Sequence, residues 1–183
     1  MDKKTTIRNQ FFKIRKKKYF NTNIKFFNPL VKLIKNKKEI KKLIVSIYYP
    51  TSHEVNVLKI LENEFFRKFT ILLPVIEENN SMNFYKWKKN DILTINKYGI
   101  PEPIKSKKII PSIMLIPLLS FDKFKNRLGY GKGFYDKYLN KNINKNRSIL
   151  TIGVAFSFQK YKKLPTNTKD FKLDYIITEK GIF

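Results

Sequence analysis

The chain has 183 residues, one histidine, no cysteine and a formal net charge of +25 at pH 7. This length can bury one sizeable core, and the 42% content of hydrophobic residues favours a folded protein. The lack of cysteine excludes disulfides and thiolate metal sites, and His53 alone argues against a zinc enzyme built on histidines. Because no apolar run is long enough to span a membrane and no secretory pattern is present, we expect a cytoplasmic protein without a membrane partner.

The positive charge is spread through most of the chain, together with abundant Asn, Ile, Phe and Tyr. Such a surface would attract nucleic acid or anionic lipid, and a basic nucleic-acid-binding protein is the competing interpretation. That class would concentrate its cations on one face among exposed aromatic residues. We favour a compositional drift toward Lys, Asn and Ile, and we expect the basic runs at residues 15–18 and 35–38 to be solvated.

The N-terminal third predicts two helices. Ile7, Phe11 and Ile14 recur at helical spacing, and Pro29 should start or kink a second helix over residues 24–34. The basic, acid-poor N-terminus also fits an organelle transit peptide. The regular apolar spacing favours a helix that belongs to the folded protein.

The rest of the chain predicts a sheet. Thr51 or Ser52 can cap a helix between the first two strands, and a further short strand, antiparallel to its neighbour, is expected at residues 84–87. Nearly continuous apolar strands separated by a helix indicate parallel pairing in a sheet covered on both faces. We therefore predict one α/β domain over residues 1–183, with three α/β/α layers and a mostly parallel sheet. The predicted core strands lie at residues 43–49, 70–75, 113–119, 149–154 and 175–178.

The segment from Arg127 to Leu139 reads Arg-Leu-Gly-Tyr-Gly-Lys-Gly-Phe-Tyr-Asp-Lys-Tyr-Leu and holds three of the six glycines. An apolar strand precedes it, and the spacing of Phe134, Tyr138 and Ile143 predicts a helix after it. A glycine-rich loop before a helix suits phosphate, because glycines let backbone N–H groups approach an anion and the helix N-terminus adds a favourable dipole. The spacing matches neither the dinucleotide fingerprint nor the Walker loop.

The amino-acid sequence of this segment closely resembles the signature of the 5-formyltetrahydrofolate cyclo-ligase family, also called methenyltetrahydrofolate synthetase. The resemblance extends along essentially the whole chain, in the family's order. It implies a fold similar to the sugar-phosphate isomerase and CoA-transferase sheets. The stretches that carry it are Lys4 and Arg8, Tyr49 and Glu54, residues 82–87, 96–103, 152–156 and 164–165, Asp170, and residues 174–179.

The resemblance implies conversion of 5-formyltetrahydrofolate to 5,10-methenyltetrahydrofolate, with ATP consumed to ADP and phosphate and Mg²⁺ as cofactor. An N-formyl oxygen is a poor leaving group, whereas phosphate leaves readily once the second nitrogen attacks the formyl carbon. The protein must position the phosphoryl group, neutralise its charge and keep water out. A related ATP-dependent ligase that acts on another N-formyl or amide substrate is a further alternative.

The family motifs imply a role for each matching residue. Arg127 and Lys132 would be catalytic, and Asp136 and Asp170 would bind Mg²⁺. The implied ATP-binding residues are Lys4, Arg8, Arg127, Leu128, Gly129, Tyr130, Gly131, Lys132, Gly133, Phe134 and Tyr135. The implied folate-binding residues are Tyr49, Glu54, Tyr130, Gly131, Lys132, Gly133 and Phe134. We expect a monomer with no specific nucleic-acid partner, and polyglutamylated folate stays open as a substrate.

Simpler structural roles compete with several of these assignments. Lys4 and Arg8 could be two exposed cations among many, and Glu54 and Asp136 could be acidic residues in a first helical turn. Tyr49 could be only a strand-end aromatic residue. Trp87 and Tyr98 could wall a folate pocket, although Trp87 suits a core at least as well.

The chain also departs from the family pattern. Asn167 and Lys169 stand where the family usually has an acid and a histidine, which would weaken the second metal contact. Before Phe121 and Asp122 the family commonly has Pro-Gly-Leu-Ala, whereas this chain has Pro117-Leu118-Leu119-Ser120, a change that should affect only a strand end and its packing.

Overall fold

Apolar, β-rich runs build a central sheet in the structure, a computed structural model that describes residues 2–36, 43–143 and 149–183. The helices are α1 (Lys3–Lys18), α2 (Asn28–Asn36) and α3 (Phe134–Ile143). The strands are β1 (Ile44–Ser46), β2 (Thr70–Ile76), β3 (Met82–Lys86), β4 (Leu93–Ile95), β5 (Pro101–Pro103), β6 (Ile113–Pro117), β7 (Ser120–Phe121), β8 (Arg127–Leu128), β9 (Leu150–Val154), β10 (Tyr175–Thr178) and β11 (Gly181–Ile182).

Seven strands form the main sheet in the order β11-β10-β9-β6-β1-β2-β3. The five central strands pair in parallel, and the edge strands β3 and β11 run antiparallel to their neighbours. The parallel pairing of β1 with β2 confirms the prediction from the strand–helix–strand pattern. The antiparallel strand near residues 84–87 is confirmed as β3.

Alternate side chains of the sheet enter two separate cores, as the period of two in a strand requires. Ile113 and Leu115 pack with α2 on one face, while Met114 and Ile116 pack with the α3 residues on the other. The sheet is therefore covered on both faces, as predicted. Helix α1 packs separately through Ile7 and Phe11.

The connection from β1 to β2 differs from the predicted helix. It consists of two 3₁₀ helices, Val57–Glu62 and Glu64–Lys68, each capped by an asparagine side chain and not by Thr51 or Ser52. Ser52 and His53 have φ values of 48° and 63°, so the chain makes a left-handed turn there and a helix cannot begin at these residues.

One further segment is folded differently from the expectation, and a second shows a tight turn next to a short strand. The apolar strand β6 does not lead directly into the glycine-rich loop, because the hairpin of β7 and β8 lies between them. The proline-rich segment Pro101–Pro103 is a strand paired with β4, and the turn falls before it, at Gly99 with a φ of 73°.

Pro29 lies in the first turn of α2, where it starts the helix as expected. Within the described residues, no helix is long and apolar enough to cross a membrane. Residues 37 and 38 of the second basic run and the side chain of Ile143 lie outside what the structure describes.

Candidate active site

A cavity of about 980 Å³ opens at the carboxyl ends of the central strands. Tyr49 follows β1, and Ile76 and Pro117 end β2 and β6, so parallel pairing brings these three strand ends to one edge of the sheet. This edge is where open α/β sheets bind ligands. All the residues predicted for the site line the cavity: Lys4, Arg8, Tyr49, Glu54, residues 127–136 and Asp170.

Four charged residues from distant parts of the chain form two ion pairs on the cavity wall, and we call them the ion-pair cluster. Lys4 Nζ lies 2.5 Å from Asp170 Oδ2, and Arg127 Nη2 lies 2.6 Å from Asp136 Oδ1. The two pairs are neighbours in space, because the backbone N–H of Phe171 also donates to Asp136 Oδ1, at 3.1 Å. Lys4 is therefore a partner of a site carboxylate and not merely a solvated cation.

The glycine-rich loop presents unused backbone donors beside this cluster. Gly131 and Gly133 have φ values of 98° and 68°, which favour glycine. Among the described residues, no hydrogen bond is donated by the backbone N–H groups of residues 130–133. Since α3 begins at Phe134, these donors lie just before a helix N-terminus, an arrangement that suits an anion.

Arg8 and Lys132 add positive charge to the loop. Arg8 Nε donates to the carbonyl of Gly129 at 2.9 Å, and its guanidinium lies against Gly131. Lys132 is exposed, and its Nζ lies 5.8 Å from the ring centroid of Tyr98. Among the described residues Lys132 has no ion pair, so its ammonium is available to a ligand.

Glu54 is buried in the turn that replaces the predicted helix start, so its interpretation as a first-turn helix residue is wrong. Its Oε2 accepts a hydrogen bond from the backbone N–H of Thr51 at 2.8 Å, and its Oε1 accepts one from the Tyr130 hydroxyl. Burial raises the pKa of Glu54, while the bonds from Tyr130 and Thr51 oppose this effect.

Arg15 was expected to be solvated, and this expectation is wrong. Its side chain is buried: Nη2 donates to the Tyr130 hydroxyl at 2.7 Å, and Nη1 donates to the Leu118 carbonyl at 3.3 Å. We call Arg15, Tyr130 and Glu54 the Glu54 network. The period of α1 is the signal that could have revealed Arg15, since it lies on the same helix face as Lys4 and Arg8.

Of the aromatic residues considered for the folate pocket, two line the cavity and one lies in the hydrophobic core. Tyr49 and Tyr98 line the cavity, and the Tyr98 ring lies 5.9 Å from that of Phe134, between centroids. Trp87 is buried in the core and does not line the cavity. Glu102, which was not singled out, lines the cavity and holds its wall together by accepting hydrogen bonds from the backbone of Ile76 and the Asn96 side chain.

Comparison with known proteins identifies the family of the chain. The model of the 5-formyltetrahydrofolate cyclo-ligase family matches residues 1–179. The chain belongs to this family. Membership confirms the predicted enzyme class, a cyclo-ligase of folate metabolism, and cyclo-ligases of this family use ATP.

Individual relatives are similar over most of their length. The 5-formyltetrahydrofolate cyclo-ligase of Mycoplasma genitalium is 32% identical over 154 residues, which is 84% of this chain and 81% of the relative. A probable 5-formyltetrahydrofolate cyclo-ligase of Schizosaccharomyces pombe is 28% identical over 144 residues, 70% of this chain and 71% of the relative.

Solved structures agree with the fold. The 5,10-methenyltetrahydrofolate synthetase of Aquifex aeolicus superposes with a TM-score of 0.74 at 28% identity and covers 98% of this chain and 91% of its own. The Mycoplasma pneumoniae synthetase superposes with a TM-score of 0.72 at 24% identity, covering 97% and 99%, and supports the fold alone. The predicted α/β fold with a mostly parallel sheet is confirmed.

The carboxylates of the ion-pair cluster fit the Mg²⁺ that a cyclo-ligase site implies. Asp136 Oδ1 accepts hydrogen bonds from Arg127 and from the backbone N–H of Phe171. Asp170 Oδ2 accepts them from Lys4 and from the backbone N–H of Asn167. The second oxygen of each carboxylate takes no hydrogen bond from a described residue. Mg²⁺ needs only one or two carboxylates beside phosphate and water, so this donor set suits it.

The departures from the family pattern near Asp170 act through the backbone. The N–H of Asn167 donates to Asp170 Oδ2 at 2.7 Å, and the Asn167 side chain accepts from the N–H of Lys169 at 2.9 Å. The turn therefore orients Asp170 without the acid and histidine expected from the family.

Proposed function

We propose that this cavity is where ATP and 5-formyltetrahydrofolate meet, with the ATP phosphates at the glycine-rich loop and the ion-pair cluster and the folate beside the Glu54 network. The observation that supports this most directly is the run of unused backbone N–H donors at residues 130–133, directly before a helix and next to four cations. Such donors bind phosphate without carrying charge of their own.

The four cations would contact different parts of the ATP phosphates. Lys4 and Arg8 suit the nucleotide, since charge-assisted hydrogen bonds to phosphate are strong and α1 places Arg8 against the loop and Lys4 beside Asp170. Arg127 and Lys132 would neutralise the charge on the transferred phosphoryl group. Asp136 and Asp170 would hold Mg²⁺, which would supply further neutralisation of the phosphate charge.

The proposed reaction has two steps. First, the formyl oxygen attacks the γ-phosphorus, and the bond from that phosphorus to the bridging oxygen breaks so that ADP leaves. Second, the neighbouring folate nitrogen attacks the formyl carbon, the carbon–oxygen bond breaks, and phosphate leaves with the electron pair and the proton of that nitrogen. The protein contributes position and charge, which is what phosphoryl transfer requires.

The folate end of the cavity combines one carboxylate with apolar walls. Glu54 can accept hydrogen bonds from the N–H edge of the pterin, and Tyr49 and Phe134 can pack against the ring. Ile76 and Met82 also line the cavity and would limit the water near the activated formyl group.

The test follows the absorbance of methenyltetrahydrofolate when the protein is mixed with 5-formyltetrahydrofolate, ATP and Mg²⁺. We expect product formation that requires ATP and stops when Mg²⁺ is chelated. Folded protein that forms no product would refute the proposal, and product formation without ATP would refute the phosphorylation step. A cytoplasmic location, a monomeric state, the absence of a nucleic-acid partner and the use of polyglutamylated folate stay predictions.

A further inference from the structure

A buried arginine stands behind the folate end of the cavity. Arg15 is 1% exposed, and its guanidinium reaches the carboxylate of Glu54 only through the hydroxyl of Tyr130. We propose that Arg15 is a positioning residue that fixes the direction of the Tyr130 hydroxyl and keeps Glu54 charged for the folate. This inference rests on the proposed binding of folate by Glu54.

The hydrogen-bond inventory determines the direction of the network. Arginine can only donate, so the Tyr130 oxygen accepts from Arg15 and gives its single proton to Glu54. A carboxylate offers about four acceptor sites, and the Tyr130 hydroxyl, the Thr51 backbone N–H and the Thr51 hydroxyl use three of them. Glu54 therefore keeps at least one acceptor site for a donor of the ligand, while Tyr130 has no proton left to donate to it.

The same network determines the charge on Glu54. Burial favours the neutral acid, and Arg15 is a cation that opposes this. The other titratable groups that act on Glu54 are Tyr48 after β1 and Tyr135 in α3; burial raises the pKa of both, so they stay neutral and provide no counter-charge. Removing the charge of Arg15 should therefore shift Glu54 toward its protonated form.

The geometry requires the two-pronged shape of arginine. One Nη atom bonds the Leu118 carbonyl while the other bonds Tyr130, and the guanidinium carbon lies 5.4 Å from the Tyr130 ring centroid and 5.6 Å from that of Phe12. A lysine could keep the charge but could not make both bonds with the same planar group. The charge and the fixed position can thus be separated by experiment.

The experiment measures binding of 5-formyltetrahydrofolate by calorimetry, without ATP, from about pH 6 to about pH 8.5. In Arg15→Met we expect binding about tenfold weaker at the acidic end, with the loss shrinking as pH rises, because a higher pH restores the charge on Glu54. A purely structural role for Arg15 would weaken binding equally at every pH. Lys17→Met, at an exposed position of the same helix, is the matched control.

Two further variants keep the test decisive even if Arg15→Met folds poorly. In Arg15→Lys, folate binding should no longer weaken further at acidic pH, because the positive charge is kept. Binding should stay weaker than in the wild type at every pH, because lysine cannot make both hydrogen bonds of the guanidinium. Tyr130→Phe, at a partly exposed ring, should shift the profile in the same direction as Arg15→Met. In steady-state assays Arg15→Lys should raise KM for the folate and leave KM for ATP unchanged.

The outcomes distinguish failure of the role of Arg15 from failure of the proposed folate binding by Glu54. If Glu54→Gln binds folate normally, the folate-binding role of Glu54 fails. If Glu54→Gln binds weakly but neither Arg15→Met nor Tyr130→Phe changes the pH dependence, the role of Arg15 is refuted while that of Glu54 stands.

Discussion

The two charged regions of the cavity are built in opposite ways. In the ion-pair cluster each carboxylate contacts its cation directly, at 2.5 and 2.6 Å, and the side chains of Asp136 and Asp170 are 24% and 27% exposed. In the Glu54 network the opposite charges are buried and separated by a tyrosine hydroxyl. The carboxylates of the first region are partly exposed to solvent, whereas the charged groups of the second region are buried.

This difference fits the two ligands. Lys4 and Asp170 form a partly exposed ion pair, and such pairs contribute little to stability, so a triphosphate and Mg²⁺ can replace this pairing at low cost. The Arg127 side chain is only 4% exposed, so we expect it to keep its position beside Asp136. A buried charge whose partner is removed is costly, so the Glu54 network should keep one arrangement with or without ligand. We therefore expect rearrangement at the nucleotide end and rigidity at the folate end.

The largest expected effect comes from Lys132, a cavity cation that has no ion pair among the described residues. Lys132→Ala should lower kcat about 10²- to 10³-fold, as loss of one charge-stabilising group in an active site typically does. Because Lys132 is exposed, the free energy of unfolding should stay unchanged. Steady-state kinetics with urea unfolding as the companion measurement checks both parts.

A matched control is Lys123→Ala, which removes another exposed cation outside the cavity and should leave kcat unchanged. Near-normal turnover in Lys132→Ala would mean that the cations already paired in the ion-pair cluster supply the charge, and the comparison of the two regions would have to be redrawn.

A smaller effect is expected from the aspartates. Asp136→Asn and Asp170→Asn should each raise the Mg²⁺ concentration for half-maximal activity about tenfold, because each removes one anionic oxygen ligand. The two effects should be similar, since the turn at residues 167–170 orients Asp170 through backbone groups. Titration of activity with Mg²⁺ measures both, and an unchanged titration for Asp170→Asn would limit the metal site to Asp136.

The sequence predicted the glycine-rich loop and the ion-pair cluster better than the Glu54 network. The glycine-rich loop is local, and its residues stay adjacent in the fold, so its position beside Lys4, Arg8 and Asp170 agrees with the expectation. The sheet was predictable for the same reason, because apolar runs form its strands. That residues 1–183 make a single domain stays a prediction.

The Glu54 network could not be predicted because its parts are distant in sequence and locally misleading. Arg15 begins a run of basic residues whose other members are exposed, so the composition of the run predicted that the Arg15 side chain would be exposed to solvent too. Glu54 follows a strand and two good helix-capping residues, yet positive φ values at Ser52 and His53 turn the chain away from a helix. The tertiary contact with Tyr130 links the two charges, and nothing in the local sequence of Arg15 or Glu54 indicates it.

The smallest expected effect is a difference in how Glu77 and Glu54 contribute to stability as pH changes. Glu77 is a directly paired carboxylate, and Glu54 is the buried carboxylate of the Glu54 network. Outside the cavity, Glu77 accepts hydrogen bonds from Tyr85 and Asn83 and pairs with two lysines, and its pKa falls from 4.5 to about 2, first because of the Tyr85 bond. A lowered folded-state pKa means that this stability is present above pH 4.5 and is lost as pH falls toward 2. Glu54 has the opposite sign, because its raised pKa makes its contribution decline as pH rises.

Glu77→Gln should therefore lower the urea midpoint at about pH 6 and have a smaller effect at about pH 3, where the unfolded wild-type chain already binds a proton at this carboxylate and part of the stabilisation is lost. Glu54→Gln should show the reverse trend, since an amide mimics the neutral acid that burial favours. Parallel pH trends in the two variants would contradict the distinction, because they would show that burial and direct pairing act on these carboxylates in the same way.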